Sequence, residues 1–535
     1  MISENRPVLT IRRTGAVGDS LCATVVADRL IQMGYSVTYQ THPDNIGLLR
    51  RHPRLSRAEL PVNGCDINLD GAYENDLRRR ERHFHEMFFE RAHRQLDHRG
   101  VNIGEPRNCV PVITVSEPEK KSIRDQLSVY PHPWVMVCPR SDSWTARQVP
   151  DGIWSEAAEK IQGTKFWIGR HPAPKNFVDL KCRNIDIVTC YLSVADVMVS
   201  VDTGPLHIAA ALGIPIVAIG QSSSPDLHLS DRRDFITISP KLDCLNCQKN
   251  ICPLNAVTPP CQNVDPELIS AWTNAKINSV FGDTVSAIIS IYRPDVGVLN
   301  RCLDCVIPQV HEVVVCSDQM GIVPVGARQH PKIRYVRHRL RDIGYGRKQN
   351  FCARNSVGKY LLLMNDDLFL DESAVRHMKD AFKPGVGVVS NLLRFPDGLI
   401  YHAGKIRSPG QRGWSHIDWR QKNHTFREIT EIENCCGCCV MVDRKAFYDI
   451  GGFDEDFYLY ADDDDFALRM RLNGHKILFT PHSTGIHLEH HSTNKSGNLM
   501  EFVTAGNKIF DHKWRAYLDH NINRVPFGDF SYLKA

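Results

Sequence analysis

Short apolar runs, each handing over to a turn and then to a helical stretch, recur along this chain, and nothing else restricts its fold as strongly. The run 8–13 leads into Thr14-Gly15-Ala16-Val17-Gly18-Asp19, then a helical pattern over 21–33 stopped by Gly34, then a strand pattern over 36–40. That is a β-loop-α-β opening. Further runs at 134–138, 165–169, 185–189, 197–201 and 214–220, separated by helical stretches, predict a second parallel sheet. A third opening follows, with strands at 284–292, 312–316 and 360–364 and helices at 299–307 and 345–356. The expected organisation is α/β throughout: Rossmann-like units over 1–120 and 121–280, then a nucleotide-binding domain over 281–535.

A chain of 535 residues exceeds one ordinary core. Its 24% charged residues and formal net charge of +4 require neither a nucleic-acid nor a membrane partner. Residues 1–13 hold no apolar core of signal-peptide length, and no stretch reaches the roughly 20 apolar residues that span a bilayer. A cytoplasmic protein is therefore expected. Its eighteen cysteines are scattered through apolar elements of a large α/β chain, which points to reduced thiols instead of a disulfide framework.

Two acidic clusters carry the chemistry of the C-terminal part. Asn365-Asp366-Asp367 stands at the carboxyl end of the strand 360–364, where open α/β sheets bind ligands. Adjacent carboxylates there suit Mg²⁺ or Mn²⁺, hard ions that bridge to phosphates. Asp462-Asp463-Asp464-Asp465 begins a helical pattern over 466–473, and the helix dipole favours acids at that end. Four consecutive carboxylates repel one another, so a nearby cation or a substrate hydroxyl would relieve them.

These residues resemble glycosyltransferase family 2, with its GT-A fold, from Thr284 to about Trp514. The first strand lies in Val285-Ser286-Ala287-Ile288-Ile289-Ser290, the donor-site helix in Gly344-Tyr345-Gly346-Arg347-Lys348-Gln349-Asn350, and the metal-binding DXD variant in Asn365-Asp366-Asp367. Gly451-Gly452-Phe453-Asp454-Glu455 and Tyr460-Ala461-Asp462-Asp463 are similar to the family's glycine-phenylalanine-aspartate element and catalytic loop. The resemblance implies Asp463 as general base with Asp462 as second choice. It further implies Asp366 and Asp367 as metal ligands with His487 as a third, Arg347 and Asn350 at the donor, and Asp318 facing the nucleoside. A single carboxylate base implies one displacement, with inversion at the sugar carbon.

In the N-terminal part, Val201-Asp202-Thr203-Gly204-Pro205-Leu206-His207 joins an apolar strand to a helix whose free amides would hold a pyrophosphate. This string, continued to Ile214-Pro215, resembles glycosyltransferase family 9, the heptosyltransferase type with a GT-B fold, over residues 8 to about 275. The resemblance implies Asp19 of Gly18-Asp19 as a base, Asp202, Thr203, Gly204 and His207 at the donor, and Arg147 where the family has a phosphate-contacting lysine. Two departures stand out: a short first Rossmann unit, and Arg170-His171-Pro172 in place of an acidic segment. Either a second active transferase or a binding module fits this half.

Cys244-x2-Cys247-x4-Cys252-x8-Cys261 could enclose a structural Zn²⁺ or pack as buried thiols. The cysteines of Cys435-Cys436-Gly437-Cys438-Cys439 would alternate across a strand and read as packing, and Cys302 with Cys305 reads as helical core. Nucleotide-sugar donors are the expected partners, with a glycan or glycolipid acceptor of the lipopolysaccharide, capsule or surface-polysaccharide kind met at the inner face of a membrane. DNA is the alternative acceptor, contacted by the basic runs 78–82 and 337–341, although a solvated face explains those runs more simply.

Overall fold

The opening pattern forms a parallel sheet. Its strands are β1 (Val8–Arg12), β2 (Ser36–Gln40), β3 (Arg57–Glu59) and β4 (Ile67–Asn68), ordered β3-β2-β1-β4. The expected first helix is split at Ala23 into Val17–Cys22 and Thr24–Gln32. The computed structural model describes residues 7–521 except 63, 107, 183, 256, 318–322, 341–342, 409, 423–425 and 489–498.

A second parallel sheet follows, with β5 (Trp134–Cys138), β6 (Thr164–Trp167), β7 (Val178–Asp179), β8 (Val197–Val201), β9 (Ile216–Ile219) and β10 (Phe235–Ile238). Its order is β10-β9-β8-β5-β6-β7. Every residue of β5 and β8 is buried, the signature of central parallel strands covered on both faces, which is why they read as unbroken apolar runs. The run 185–189 is not a strand. It starts the helix Ile185–Leu192, because the Asn184 side chain accepts hydrogen bonds from Asp186 N at 2.8 Å and Ile187 N at 3.3 Å, a helix cap that apolar content alone hides.

The chain divides into two compact units, Met1–Ile277 and Asn278–Ala535. The second is built on β11 (Val285–Ile291), β12 (Glu312–Ser317), β13 (Ile333–Arg337), β14 (Tyr360–Met364), β15 (Leu368–Leu370) and β16 (Val386–Arg394). Short strands β17 (Ile400–His402), β18 (Lys405–Ile406), β19 (Ser415–His416) and β20 (Thr430–Glu431) lead to β21 (Cys439–Asp443) and β22 (Lys476–His487). The main order is β13-β12-β11-β14-β21-β16-β22-β15, and β18 pairs with β19 apart from it. The strands β13, β12, β11 and β14 run parallel; β21 then enters antiparallel between β14 and β16. This mixed sheet ends the nucleotide-binding half and brings the ends of β14 and β22 together, since β15 pairs back on β22 with Leu368 opposite His487. Among the described residues, no helix is long and apolar enough to cross a membrane.

Candidate functional site

In the second unit, β14 delivers Asp366 and Asp367 into a buried position, and the β15–β22 register sets the His487 imidazole beside them. His487 Nε2 lies 3.2 Å from Asp367 Oδ1 and 3.4 Å from Asn365 Nδ2. Burial, reinforced by the charge of Asp367, pushes the Asp366 carboxyl up to about 7. Two buried carboxylates next to an imidazole form a hard donor set that a divalent cation neutralises, so these residues fit Mg²⁺ or Mn²⁺. Asp366 does not close a tight triad with the other two. Among the described residues, the group of three ligand atoms within 4.8 Å of one another is that of Asp202, His207 and His228.

The acidic run forms the first turn of the helix Asp462–Leu472. Tyr460 and Ala461 precede it with φ of 68° and 59°, a left-handed reversal that non-glycine residues adopt only when surrounding contacts hold it, at about 1–3 kcal/mol each. The helix Leu499–His520 supplies such contacts. Phe502 stacks on Tyr458 at 5.1 Å, and Trp514 Nε1 donates to Asp465 Oδ1 at 2.9 Å. Arg469 Nε donates to the other Asp465 oxygen at 2.7 Å, so this fully buried acid is committed to structure.

The remaining acids differ. Lys405 Nζ, also buried, lies 2.9 Å from Asp463 Oδ2 and 2.8 Å from Asp464 Oδ1. Asn434 adds a bond to Asp464 at 2.8 Å. Despite burial, the Lys405 ammonium and the Gly437 N–H hold the Asp463 carboxyl below its usual range. Asp462 makes no ion pair with Lys405 among the described contacts: burial and the neighbouring Asp463 charge push it up to about 8 against the weaker pull of that ammonium, and its Oδ2 is buried without a hydrogen-bond partner among the described residues.

The cysteine-rich loop connects the two acidic clusters. Asn365 N donates to Cys438 O at 2.9 Å, and Gly437 N donates to Asp463 Oδ2 at 3.2 Å. Tyr345 Oη closes on Gly437 O at 2.8 Å. A Cβ at Gly437 would stand 3.1 Å from Asp463 Cβ, so glycine lets the loop approach this carboxylate. Of the four cysteines only Cys439 lies in a strand; Cys435 joins one core cluster, and Cys436, Cys438 and Cys439 join the other. Packing follows as expected, with most of the run in a loop instead of an alternating strand.

Two expected donor contacts serve other ends. Asn350 is fully buried: its Oδ1 accepts from Phe453 N at 2.8 Å, while Nδ2 donates to Phe453 O at 3.0 Å and Glu455 Oε1 at 3.1 Å. Its amide thus clamps the glycine-phenylalanine-aspartate loop. Arg347 Nε pairs with Glu455 Oε2 at 2.8 Å in the same clamp. Asp318 lies outside the described residues.

In the first unit, Asp19 sits in the first turn of Val17–Cys22, with a quarter of its side-chain surface exposed. Burial raises its carboxyl against the pull of the Arg13 guanidinium 3.3 Å away. Arg13 is itself buried and pairs with Glu74 at 2.7 Å. Ala16, Val17, Thr203, Gly204, Pro205, Arg140 and Arg170 belong to the lining of a cleft of about 670 Å³, within the size of small-molecule sites. Thr203 and Gly204 begin the helix Gly204–Leu212, so its N-terminus opens on the cleft.

Asp202 and His207 lie behind that lining. Buried Asp202 accepts from His228 Nδ1 at 2.8 Å and His207 Nε2 at 3.2 Å, with Arg147 at 3.4 Å. Burial opposes ionisation of Asp202, but His228 and Arg147 carry its carboxyl well below the usual range. Arg147 also donates to Asp202 O at 2.8 Å and stacks 3.7 Å from the Trp144 ring centroid. Arg147 is thus engaged by Asp202, and the guanidinium groups lining the cleft are those of Arg140 and Arg170. His228 joined no sequence motif, and only the fold brings it to Asp202.

The four thiols of the zinc reading lie between β10 and the helix Pro266–Phe281. Cys244, Cys247 and Cys252 lie near enough to raise the Cys261 thiol, which burial already pushes up to about 11, yet no three of these sulfurs gather within 4.8 Å. Spacing cannot specify the backbone path between thiols. The basic run at 78–82 is largely spent internally: Arg79 donates to Glu74 O, Arg80 to Asn246 O at 2.9 Å, and Arg82 to Asp76 at 2.6 Å. Those bonds supply the simpler account of this run.

Residues 286–451 match the sequence model of glycosyl transferase family 2, and residues 183–258 that of glycosyltransferase family 9 (heptosyltransferase). Residues 421–492 also match a model described as the N-terminal domain of galactosyltransferase. The chain is 31% identical over 150 residues to the O-antigen biosynthesis protein RfbC of Myxococcus xanthus, covering 26% of this chain and 12% of that protein. It is 27% identical over 153 residues to an N-acetylglucosaminyl-diphospho-decaprenol L-rhamnosyltransferase of Mycobacterium tuberculosis, covering 26% of this chain and 50% of that one. The chain thus spans half or less of the length of these relatives. Among solved structures, a family 9 glycosyl transferase from Veillonella parvula aligns with 52% of this chain and 98% of its own, at 13% identity and a TM-score of 0.41.

Proposed function

We propose, from the premise that this chain joins a glycosyltransferase family 9 region to a glycosyltransferase family 2 region, that it transfers sugars from nucleotide-sugar donors to a glycan acceptor. The observation that carries this reading is the tie between the two acidic clusters: Asn365 and Asp463 bond to adjacent residues of one loop, Cys438 and Gly437. A phosphate-side cluster and a proton-accepting cluster held in register are what glycosyl transfer to a hydroxyl requires.

In this reading Asp366, Asp367 and His487 would hold a divalent ion, whose charge would offset that of a nucleoside diphosphate leaving group. The acidic run, through Asp463 or Asp462, takes the acceptor hydroxyl proton. The acceptor oxygen bonds to the sugar carbon as the bond to the diphosphate breaks, with inversion. Arg347 acts through its Glu455 pairing by holding the loop before the acidic helix.

The cleft of the first unit is a second nucleotide-sugar site, with the helix amides at Thr203 and Gly204 meeting phosphate and Asp19, two residues beyond Val17 of the lining and not itself part of it, as its base. Asp202, His207 and Arg147 shape that helix end from behind. The relatives named for O-antigen biosynthesis and for a decaprenol-linked acceptor support a surface-polysaccharide or lipid-linked glycan acceptor.

The test is turnover of a UDP-, GDP-, dTDP- and ADP-sugar panel followed by mass spectrometry, with Mn²⁺ or EDTA. Wild type is compared with Asp19→Asn and with the Asp462→Asn/Asp463→Asn double variant. EDTA-sensitive turnover lost in the double variant, and EDTA-resistant turnover lost in Asp19→Asn, are the expected results. Activity confined to the first pattern leaves the first unit a binding module. Absence of transfer from every donor, offered with lipid-linked and free glycan acceptors, sinks the proposal.

A further inference from the structure

The Asp462–Asp465 run contains four carboxylates that the sequence cannot tell apart, and one buried cation separates the first three. Lys405 lies on β18, in the segment between β16 and β21 that leaves the main sheet. Its ammonium bridges Asp463 and Asp464 at 2.9 and 2.8 Å. Asp465 is consumed by Trp514, Arg469 and Lys513. What remains is Asp462 Oδ2, buried and without a hydrogen-bond partner among the described residues.

We infer that Lys405 is a positioning residue that clamps Asp463 in its ionised form and thereby assigns receipt of the acceptor proton to Asp462. This rests on the transferase reading above. A carboxylate locked to an ammonium is a weak base and holds its proton acceptors in one orientation, whereas a buried carboxylate with an open oxygen and no direct contact with the ammonium has the higher proton affinity. The positive charge is needed because four adjacent acids cannot all ionise in a buried turn.

The groups facing this run come from several elements. Lys405 on β18 and His416 on β19 approach Asp463, as do Cys435, Cys436 and Cys438 of the bridging loop; Tyr345 and, more weakly, Lys405 approach Asp462; Lys513 of the helix Leu499–His520 and Arg469 pair with Asp465; Asp464 lies on the same helix. Among these, Lys405 is the cation that touches two acids of the run. Removing it raises the proton affinity of the whole run, and a base must be deprotonated to act, so the acid side of the rate profile moves to higher pH.

The experiment measures kcat/KM against pH, using whichever donor of the panel the wild type consumes, for wild type, Lys405→Met, Lys405→Arg, Asp462→Asn and Asp463→Asn. In Lys405→Met the acid limb should rise by about one pH unit or more, giving about a tenfold loss at pH 7 that shrinks toward alkaline pH. Lys405→Arg, which keeps the charge, should keep the limb. Asp462→Asn should lose about a thousandfold, and Asp463→Asn at least about tenfold less than that.

An acid limb unmoved in folded Lys405→Met, or Asp463→Asn as damaging as Asp462→Asn, overturns the assignment. Should Lys405→Met fail to fold, the comparison of the two isosteric Asp→Asn variants decides alone. Lack of wild-type turnover would refute the transferase reading instead. In that event infrared difference spectra still test the proton's place: a protonated carboxyl band lost in Asp462→Asn and kept in Asp463→Asn supports it, and the reverse overturns it.

Discussion

Replacing Asp202 by Asn tests the account of the first unit where it makes its largest energetic claim. The carboxylate is almost fully buried and accepts from His228 at 2.8 Å and His207 at 3.2 Å, with Arg147 at 3.4 Å. The isosteric amide removes the charge and leaves the Arg147 guanidinium and a charged His207 facing a neutral group. Breaking a buried charge pair in this way costs about 3–5 kcal/mol. A unit of this size loses roughly 2–4 °C in Tm per kcal/mol, so its transition should fall by about 6–20 °C.

The pH dependence carries the mechanism. The folded pKa of Asp202 is depressed, so its contribution is present above the unfolded value of about 3.9 and lost as pH falls toward the folded one. For His207, burial lowers the pKa but Cys22 and Asp202 raise it well above the usual range. Its contribution is full below the unfolded value of about 6.5 and fades as pH rises through the higher folded pKa. The gap between wild type and Asp202→Asn should therefore be widest near pH 5–6 and narrow above neutrality. Differential scanning calorimetry from pH 4.5 to 9 measures it. A drop under about 2 °C, or a gap indifferent to pH, would refute the view that this cluster is held by charge.

Three further outcomes are expected. Gly437→Ala must push the Asp463 side chain by a few tenths of an ångström, because the new Cβ meets its Cβ at 3.1 Å. The expected loss in kcat is about 3- to 10-fold, with Tm changed by no more than a few degrees, and steady-state kinetics beside a thermal melt read both. Trp514→Phe deletes the 2.9 Å bond to buried Asp465. It should cost about 1.5–3 kcal/mol by chemical denaturation and lower turnover through the acidic turn, so an unchanged denaturation midpoint would count against the role given to the C-terminal helix. Asp367→Asn should weaken Mn²⁺ binding by about 100-fold or more, read by electron paramagnetic resonance without any substrate, and equal affinity in the variant would remove Asp367 from the donor set.

Much of the fold was legible because burial on both sheet faces leaves a compositional trace. β5, β8, β11 and β14 are apolar from end to end or nearly so, and each was found in place from that pattern. The run at 185–189 failed for a local reason: Ile185 and Ile187 looked like strand residues, while the Asn184 cap and the contacts of Val188, Tyr191 and Leu192 made a helix. At the candidate sites, Asp366, Asp367, Asp462, Asp463, Asp19 and the Asp202–His207 string were visible because chemistry at strand ends and helix starts is concentrated in short segments. Asn350 and Arg347 were equally visible, yet their side chains turn toward the Phe453–Glu455 loop. A residue type in a motif gives proximity to a site without giving the direction of its side chain.

The sequence alone determined that two acidic clusters would stand on an α/β scaffold, one after a strand and one opening a helix, since both placements follow from local periodicity. It also determined that a helix N-terminus would follow Val201-Asp202-Thr203. Tertiary structure decided which acids the ammonium clamps, because Lys405 is 58 residues from Asp463 and is brought to it by β18. The same holds for His228, 26 residues from Asp202, and for Trp514, 49 residues from Asp465. Proton affinity in a buried site depends on charges within a few ångströms, and those neighbours are set by packing between distant segments, which local sequence pattern does not encode.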